Sequence, residues 1–428
     1  MVYQRMMQPD LSFVFSGPPP ILSSHQNPTV SRGYELAELN LADKVRSEAR
    51  QVFTKEMVAA FSDLFARFVH PYLPIVSKSD LINNTDVLFE TPALLFAIAA
   101  TARHFVTYDE QLCLKLAVIP SAELLYRLCW KALQAEIAAP SLDTVQALIL
   151  LLHRHVPDEL SFEGAMDSNL RGLLVSSAHI LGLNHDPGNW TSIPLGQRKL
   201  RKRTWWATLM TEKWMAFSDG MPSQLGAQDQ SVLPLDDDDL DDGVEDFGLS
   251  SHRPSPFIYM TRLTLILDEV VQSFFTAAAS ATTSKSLDRS LDIAKSLRSR
   301  LKEWDEALPP GLQVCNQNPS SDAEEVTLNG NYSLYLAYIT VHLAIYRALL
   351  RPISLADMRQ DDSAHMVEDM DSLDSTAVGA VFEGAAANLK KLVTYVSSLP
   401  PAAWDAFWPG CKPSASRVML YTTNHESL

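Results

Sequence analysis

The chain has 428 residues, 46% of them apolar, so it can bury a sizeable core and is long enough for two or three domains. Its 35 basic and 51 acidic residues give a net charge of −16, which repels a phosphate backbone and argues against a general nucleic-acid surface. The four cysteines are too widely spaced for a zinc site, and the sequence contains neither a signal peptide nor an apolar stretch approaching about 18 residues. We therefore expect a reducing compartment, no membrane span and no metal cofactor in this chain.

The N-terminal part of the chain differs in composition from the rest. Residues 1–41 are rich in proline and serine and have little periodic apolar content, which predicts a disordered tail. Helices begin at about Ala42, and the first amphipathic segment ends at the prolines Pro71 and Pro74. Residues 94–102 are apolar on every side, which is typical of a buried core helix.

Apolar residues at spacings of three and four predict further helices in the first half of the chain, over 122–136, 142–153, 168–181 and 198–217. The third of these ends at Gly182-Leu183, where glycine can adopt the left-handed conformation. The fourth, the tryptophan helix, carries Trp206, Trp214 and Phe217 on one apolar face and is broken after Gly220.

A second helical block is predicted over 257–279, 287–308 and 332–350, followed by an acidic linker and a helix over 376–399. No alternating strand pattern and no internal repeat is found, so the predicted fold is all-α, a multi-helix array of packed antiparallel helices. The predicted organisation is a tail (1–41), a first helical region (42–235), an acidic loop (236–256), a second helical block of the same region (257–352), an acidic linker (353–375) and a C-terminal helix with an irregular tail (376–428).

The strongest candidate for chemistry is an acidic run. Residues 236–242 contain the spacing D-D-x-x-D, with which all-helical terpene synthases hold Mg²⁺ against a diphosphate. The run lies between Pro234 and Gly243, where a loop rather than a helix is expected, and a second metal-binding motif is missing. A charge run of this kind is usually a solvated loop. We predict no catalytic residue and no metal site, and keep a Mg²⁺-dependent diphosphate-processing enzyme as the alternative.

A basic cluster lies at the start of the tryptophan helix. Such runs can serve as nuclear import patches, and this one consists of Arg198, Lys199, Arg201, Lys202 and Arg203. The competing interpretation is that these side chains form the exposed first turns of a folded helix. The neighbouring tryptophans could offer a ligand-stacking surface, but aromatics at helical spacing more often pack into a core.

Several short motifs occur in the order found in one protein family. They are residues 68–75, 144–148, 181–186 and 201–206, then Glu212, Gly220 with Pro222, and Leu233-Pro234. Together they resemble the middle homology region of fungal zinc binuclear cluster transcription factors, over about 51–235 and more loosely to Pro352. Residues 332–352 and Lys213-Trp214 are most similar to the co-activators of nitrogen catabolism genes. The family-motif positions with a structural role are His70, Pro71, Pro74, Gly182, Leu183, Trp205, Trp206, Glu212, Gly220 and Pro222.

The resemblance implies a regulatory region of a fungal transcription factor that acts on RNA polymerase II transcription in the nucleus, with a cytoplasmic pool. Implied partners are transcriptional co-regulators or DNA-binding proteins, and a homodimer. The sequence departs from the family by lacking the six-cysteine zinc cluster, so this chain alone is expected not to recognise DNA sequence. Zinc is expected only if a cluster precedes Met1. Truncation is also expected at the C-terminus, because the family segment that residues 407–409 resemble leads into further helices, whereas this chain stops at Leu428. Met221 stands where many relatives have arginine.

Overall fold

The computed structural model describes residues 41–83, 85–114, 119–154, 163–226, 228–241, 254–313, 331–362 and 374–399. These residues form α-helices joined by turns and short 3₁₀ segments, and no strand occurs among them. The predicted all-α class is therefore confirmed. The predicted disordered tail and irregular C-terminal residues fall on 1–40 and 400–428, outside the described residues.

The first half of the chain contains nine α-helices within the described ranges. They are α1 (residues 41–52), α2 (Lys55–Phe68), α3 (Lys78–Asn83), α4 (Pro92–Ala102), α5 (Glu110–Leu114), α6 (Ala122–Glu136), α7 (Leu142–Leu152), α8 (Glu163–Ile180) and α9 (Leu195–Asp219). Three 3₁₀ segments, Thr85–Glu90, Arg103–Tyr108 and Asp238–Leu240, lie between or after them. The second half adds α10 (Pro256–Phe274), α11 (Ala277–Thr283), α12 (Leu287–Glu306), α13 (Asn331–Asp362) and α14 (Ser375–Ser398).

Local sequence fixes many of the helix ends. Ser121 and Ser286 accept backbone N–H groups at the starts of α6 and α12, and Ser141 forms a reciprocal capping box with Thr144 at the start of α7. Gly182 follows α8 with φ +63° and Gly220 follows α9 with φ +65°, a conformation that costs glycine little. The predicted left-handed stop at Gly182 is confirmed.

Two helices form the centre of the two halves. In the first half α4 is buried on nearly all sides and packs against α2, α6 and α7. In the second half α13 packs against α10, α12 and α14. The tryptophan helix α9 contacts α7 and α8 on one side and α10 on the other, so the apolar residues of both halves form one continuous core.

Two predictions about the second half were wrong. The helix predicted over 257–279 is two helices, because Phe275 ends α10 and Thr276 caps α11 through its side chain. The acidic linker predicted over 353–375 starts too early, because α13 continues through Pro352 to Asp362. Among the described residues, Asn331–Leu355 is long and apolar enough to span a membrane by length and composition alone, but 72% of its apolar window is buried inside the protein, as in a core helix.

Candidate functional site

The tryptophan helix α9 is enclosed on all sides over residues 203–214, not only along the predicted apolar face. Polar residues are buried together with the tryptophans, and two of the three buried threonines, Thr204 and Thr208, bond to a carbonyl one turn earlier in the same helix. The Thr204 hydroxyl donates to the Leu200 carbonyl at 2.8 Å and the Thr208 hydroxyl to the Thr204 carbonyl at 2.9 Å. Because buried polar groups need hydrogen-bond partners, the elements that pack against this helix must supply the matching donors and acceptors.

The three indole N–H groups of α9 attach it to three other parts of the chain. Trp205 donates to the Gln230 side chain, and Trp206 donates to the Leu233 carbonyl at 3.0 Å. Trp214 donates to the Thr264 hydroxyl of α10 at 2.9 Å. The indoles therefore pack in the core, as predicted for aromatics at this spacing, and also hold the segment 229–235 and α10 in place.

Two neighbouring charges near the end of α9 hold the turn that follows it. The carboxylate of Glu212, fully buried, accepts the Ser223 hydroxyl and the Gln224 backbone N–H, both at 2.7 Å. Lys213 donates to the Leu225 carbonyl and forms an ion pair with Asp268 of α10 at 2.8 Å. The Gly-x-Pro motif reverses the chain between α9 and these contacts. Its Gly220 supplies the left-handed residue, and Pro222 is exposed.

The loop after α8 completes the surroundings of α9. Leu183, one residue after the left-handed Gly182, is buried in the core. The Asn184 amide donates to the Asp229 carbonyl and the Leu233 N–H donates to the Asp186 carboxylate, both at 2.9 Å. The structure thus brings Gly182, Leu183, Trp205, Trp206, Glu212, Gly220 and Pro222 into one region around α9.

The basic cluster and the acidic run face each other. Lys199 lies 3.1 Å from Asp238, and Lys202 lies 2.5 Å from Asp239. Arg203 is fully buried and donates to the Leu240 carbonyl at 3.4 Å. Arg198 and Arg201 donate to the backbone carbonyls of residues 188 and 181. All five basic side chains thus have partners within the fold.

The acidic run is itself organised by these contacts. Asp236 and Asp239 exchange bonds, each accepting the other's backbone N–H, at 3.0 and 3.1 Å. Asp239 is 9% exposed, and its Oδ2 accepts both the Asp236 N–H and a hydrogen bond from the Lys202 ammonium. Among the described residues no group of three or more His, Cys, Asp or Glu side chains could hold a metal ion. The run therefore caps a turn and pairs with α9, while Asp242 lies outside the described residues.

The His-Pro motif lies apart from the α9 region. His70 is buried and its Nε2 is 3.1 Å from the Val76 carbonyl, across the turn that contains Pro71 and Pro74. The Pro71 carbonyl accepts the hydroxyl of Ser255, the residue that caps α10, at 3.5 Å. This turn therefore holds the start of α10, whereas the α9 region holds its middle.

A buried histidine connects α7 to α9. The Nε2 of His153 is 3.0 Å from the Thr211 hydroxyl, and burial lowers the pKa of His153 to about 3. The ring is therefore neutral at physiological pH. His342 in α13 is similar, since burial and the charges of Lys391 and Arg298 lower its pKa to about 4.

Sequence reasoning did not identify Asp268, Gln230, Asp186 or Thr264 as partners of this region. Asp268 is 55 residues from Lys213, and Gln230 is 25 residues from Trp205. The only available signal was that Asp268 is the one charged residue on the buried face of α10, as a buried charge with a partner would be.

Comparison with known proteins places this region inside a recognised domain. Residues 62–306 match the model of the fungal specific transcription factor domain. The match includes the His-Pro turn, α9, the acidic run and α10. No solved structure matches the chain.

The chain is similar to curated fungal regulators. It is 24% identical over 405 residues to the transcriptional activator protein DAL81 of Saccharomyces cerevisiae, covering 84% of this chain and 38% of that protein. It is 27% identical over 271 residues to an uncharacterised transcriptional regulatory protein of Schizosaccharomyces pombe, covering 62% and 40%. It is 26% identical over 211 residues to cutinase transcription factor 1 beta of Fusarium vanettenii, covering 45% and 22%. The chain spans less than half the length of each relative.

Proposed function

The chain belongs to the family defined by the fungal specific transcription factor domain, and from that membership we propose that it is the regulatory, protein-binding region of a factor that acts on RNA polymerase II transcription. The observation that carries the proposal is the family match over residues 62–306, which contains the whole α9 region. The buried polar contacts of that region give the motif positions a shared structural role. Glu212, Gly220 and Trp206 hold one loop against one helix.

The partners that suit this chain are proteins. Its net charge is −16, and the basic cluster on α9 is engaged by backbone carbonyls and aspartates rather than arrayed for phosphates. We therefore propose transcriptional co-regulators or DNA-binding proteins as partners, a homodimer as an assembly, and no direct recognition of DNA sequence. We also propose a role in nitrogen catabolism, which is supported by the resemblance of residues 332–352 to the co-activators of nitrogen catabolism genes.

Nuclear localisation, with a cytoplasmic pool, forms part of the same proposal. The basic cluster remains a candidate import patch, although Lys202 and Arg203 are largely buried and cannot extend into a receptor while α9 is folded. Import through a bound partner or through another segment suits the structure better. Replacing Lys199 with glutamine and comparing the nuclear fraction of a fluorescent fusion tests this: the nuclear fraction falls if the cluster is an import signal and stays the same if the cluster only packs the start of α9.

We also propose that the chain catalyses no reaction. The rival enzyme would require the aspartates to bind Mg²⁺, but Asp239 is paired with Lys202 and most of the run is exposed at the surface. An assay with allylic diphosphates and Mg²⁺ separates the two. Turnover that is lost in Asp237→Ala would contradict the regulatory proposal.

A reporter fusion tests the regulatory function directly. The chain is fused to an unrelated DNA-binding domain in a fungal host, and transcription of the matching reporter is compared with that of the DNA-binding domain alone. We expect a change in reporter level that is lost in Glu212→Ala and retained in Asp237→Ala, a matched acidic substitution on the exposed loop. A stably expressed fusion that leaves the reporter unchanged would contradict the proposal, as would sequence-selective retention of promoter DNA by the chain alone.

A further inference from the structure

The outermost helix of the second half, α14, has more apolar surface than its neighbour covers. Val381, Ala385, Leu392 and Tyr395 are buried, and α14 packs mainly on α13. Next to this buried face lies a second apolar row, in which Phe382 is 52% exposed and Val393 is 57% exposed. Leu389, between them, is only partly buried.

The row has helical spacing and a defined side. Phe382, Leu389 and Val393 are separated by seven and four residues, so they lie on one face of α14. Lys391, on the opposite flank of the buried face, is close enough to Asp305 and His342 to affect their pKa values. Lys391 therefore lies on the α12 side of α14, and the apolar row lies on the other side of the buried face. One packing contact needs a stripe of roughly 100°, and the apolar arc of α14 extends well beyond it.

The chain itself supplies an occupant for this row. Directly after α14 come Leu399 and two prolines, Pro400 and Pro401, which cannot continue a helix and favour a turn. Antiparallel helices are commonly joined by about two to five residues. The next aromatic residues are Trp404, Phe407 and Trp408, and the last two follow Trp404 by three and four residues, so a helical turn would present all three on one face.

We propose that residues 402–408 fold back along α14 and cover the row formed by Phe382, Leu389 and Val393. An antiparallel return after Pro401 brings Trp404 to the last turn of α14 and Phe407 to about the level of Val393, at the equal rise of 1.5 Å per residue. Aromatic side chains are the residues that most often anchor such contacts. A second copy of the chain is the competing occupant.

Cysteine labelling tests the proposal in the full chain. Val393→Cys is compared with Lys390→Cys, which lies on the exposed polar face of the same helix, in a background where Cys113, Cys315 and Cys411 are serine. Cys129 is buried and stays as a monitor of the core. We expect a maleimide to react at position 393 at least about tenfold more slowly than at position 390. Equal rates would overturn the proposal.

A tail variant identifies the occupant. Replacing Trp404, Phe407 and Trp408 with serine should raise the labelling rate at position 393 to that at position 390, while Cys129 stays unreactive. If position 393 stays slow in that variant, or if its protection disappears on dilution together with a dimer seen by light scattering, the tail is not the occupant. If the variant loses its fold, Cys129 reacts with the maleimide. In that case the comparison of positions 393 and 390 in the chain with its native tail still decides whether the row is covered.

Discussion

Glu212 and Lys213 carry opposite charges on adjacent residues of a buried helix, yet they do not pair with each other. The Glu212 carboxylate accepts two donors from the turn at 223–224, and Lys213 reaches Leu225 and Asp268. Buried charges are costly unless they are fully bonded, so the sequence can retain them only where these partners are present. The two residues therefore determine where the chain goes after α9.

We expect Glu212→Ala to lower the free energy of unfolding by about 1–3 kcal/mol, because it removes the acceptor of the Gln224 N–H and leaves the Ser223 hydroxyl only the more distant Leu225 carbonyl, at 3.2 Å. Urea denaturation measures the change. The matched substitution Asp237→Ala removes an exposed carboxylate from the neighbouring loop and should shift stability by less than about 0.5 kcal/mol. Equal effects of the two substitutions would show that the Glu212 contacts do not hold the turn.

His153 makes stability depend on pH in a defined direction. Its pKa is about 3 in the fold and about 6.5 in the unfolded chain, so below pH 6.5 the unfolded chain binds a proton that the folded chain does not. Stability is therefore lost as the pH falls from 6.5 towards 3. Burial raises the pKa values of Glu136 and Asp143, which act in the opposite direction, so the effect must be isolated by comparison with a variant.

When the pH is lowered from 6.5 to 5, the free energy of unfolding should fall by about 1.5 kcal/mol less in His153→Asn than in the parent chain, because the variant has no imidazole to protonate in the unfolded state. Urea denaturation of both proteins at both pH values gives the four free energies of unfolding that are compared. The carboxylate contributions are the same in the two proteins and cancel in the difference. Parallel pH profiles for parent and variant would mean that His153 is not kept neutral by the fold.

At the scale of helices, the sequence predicted most elements and fewer of their ends. The helix over 122–136 was predicted correctly to the residue, because Ser121 caps its start and Pro140 follows its end within four residues. The break after Phe274 could not be found, since no glycine or proline marks it and Thr276 alone caps α11. Pro352 was taken as a helix end, yet it is buried inside α13, where tertiary packing outweighs the lost backbone bond.

The contact between α13 and α14 depends on a glycine that sequence patterns did not single out. A Cβ at Gly384 would lie 2.6 Å from Cζ of Tyr346 on α13, whereas a Cβ at Gly379 of the same helix would meet nothing within 4 Å. We expect Gly384→Ala to destabilise the chain by about 1–3 kcal/mol through overpacking. Gly379→Ala should instead stabilise it by up to about 1 kcal/mol through helix propensity. Thermal denaturation of both variants checks the prediction, and a neutral Gly384→Ala would contradict it.

At the scale of the whole molecule, the candidate site joins segments that are far apart in sequence. The basic cluster and the acidic run were each recognised from composition, but their pairing through Lys202 and Asp239 joins residues 37 apart. No local spacing encodes such a contact, because the chain path between the two residues is set by the core. The same holds for Trp214 with Thr264, which connects the two helical halves.

These cross-connections predict that the two halves unfold together. The ion pair of Lys213 and Asp268 lies between α9 and α10 with exposed fractions of only 4% and 12%, so removing one partner leaves a buried charge. We expect Lys213→Met to cost about 3–5 kcal/mol and to lower a single calorimetric transition of the whole chain, and Lys213→Met with Asp268→Leu to recover most of the loss. Two transitions, of which the substitution moves only one, would mean that the halves are energetically independent. A single shifted transition would mean that the loop after α9, the acidic run and α13 unfold as one cooperative unit. A partner that binds either half would then stabilise both.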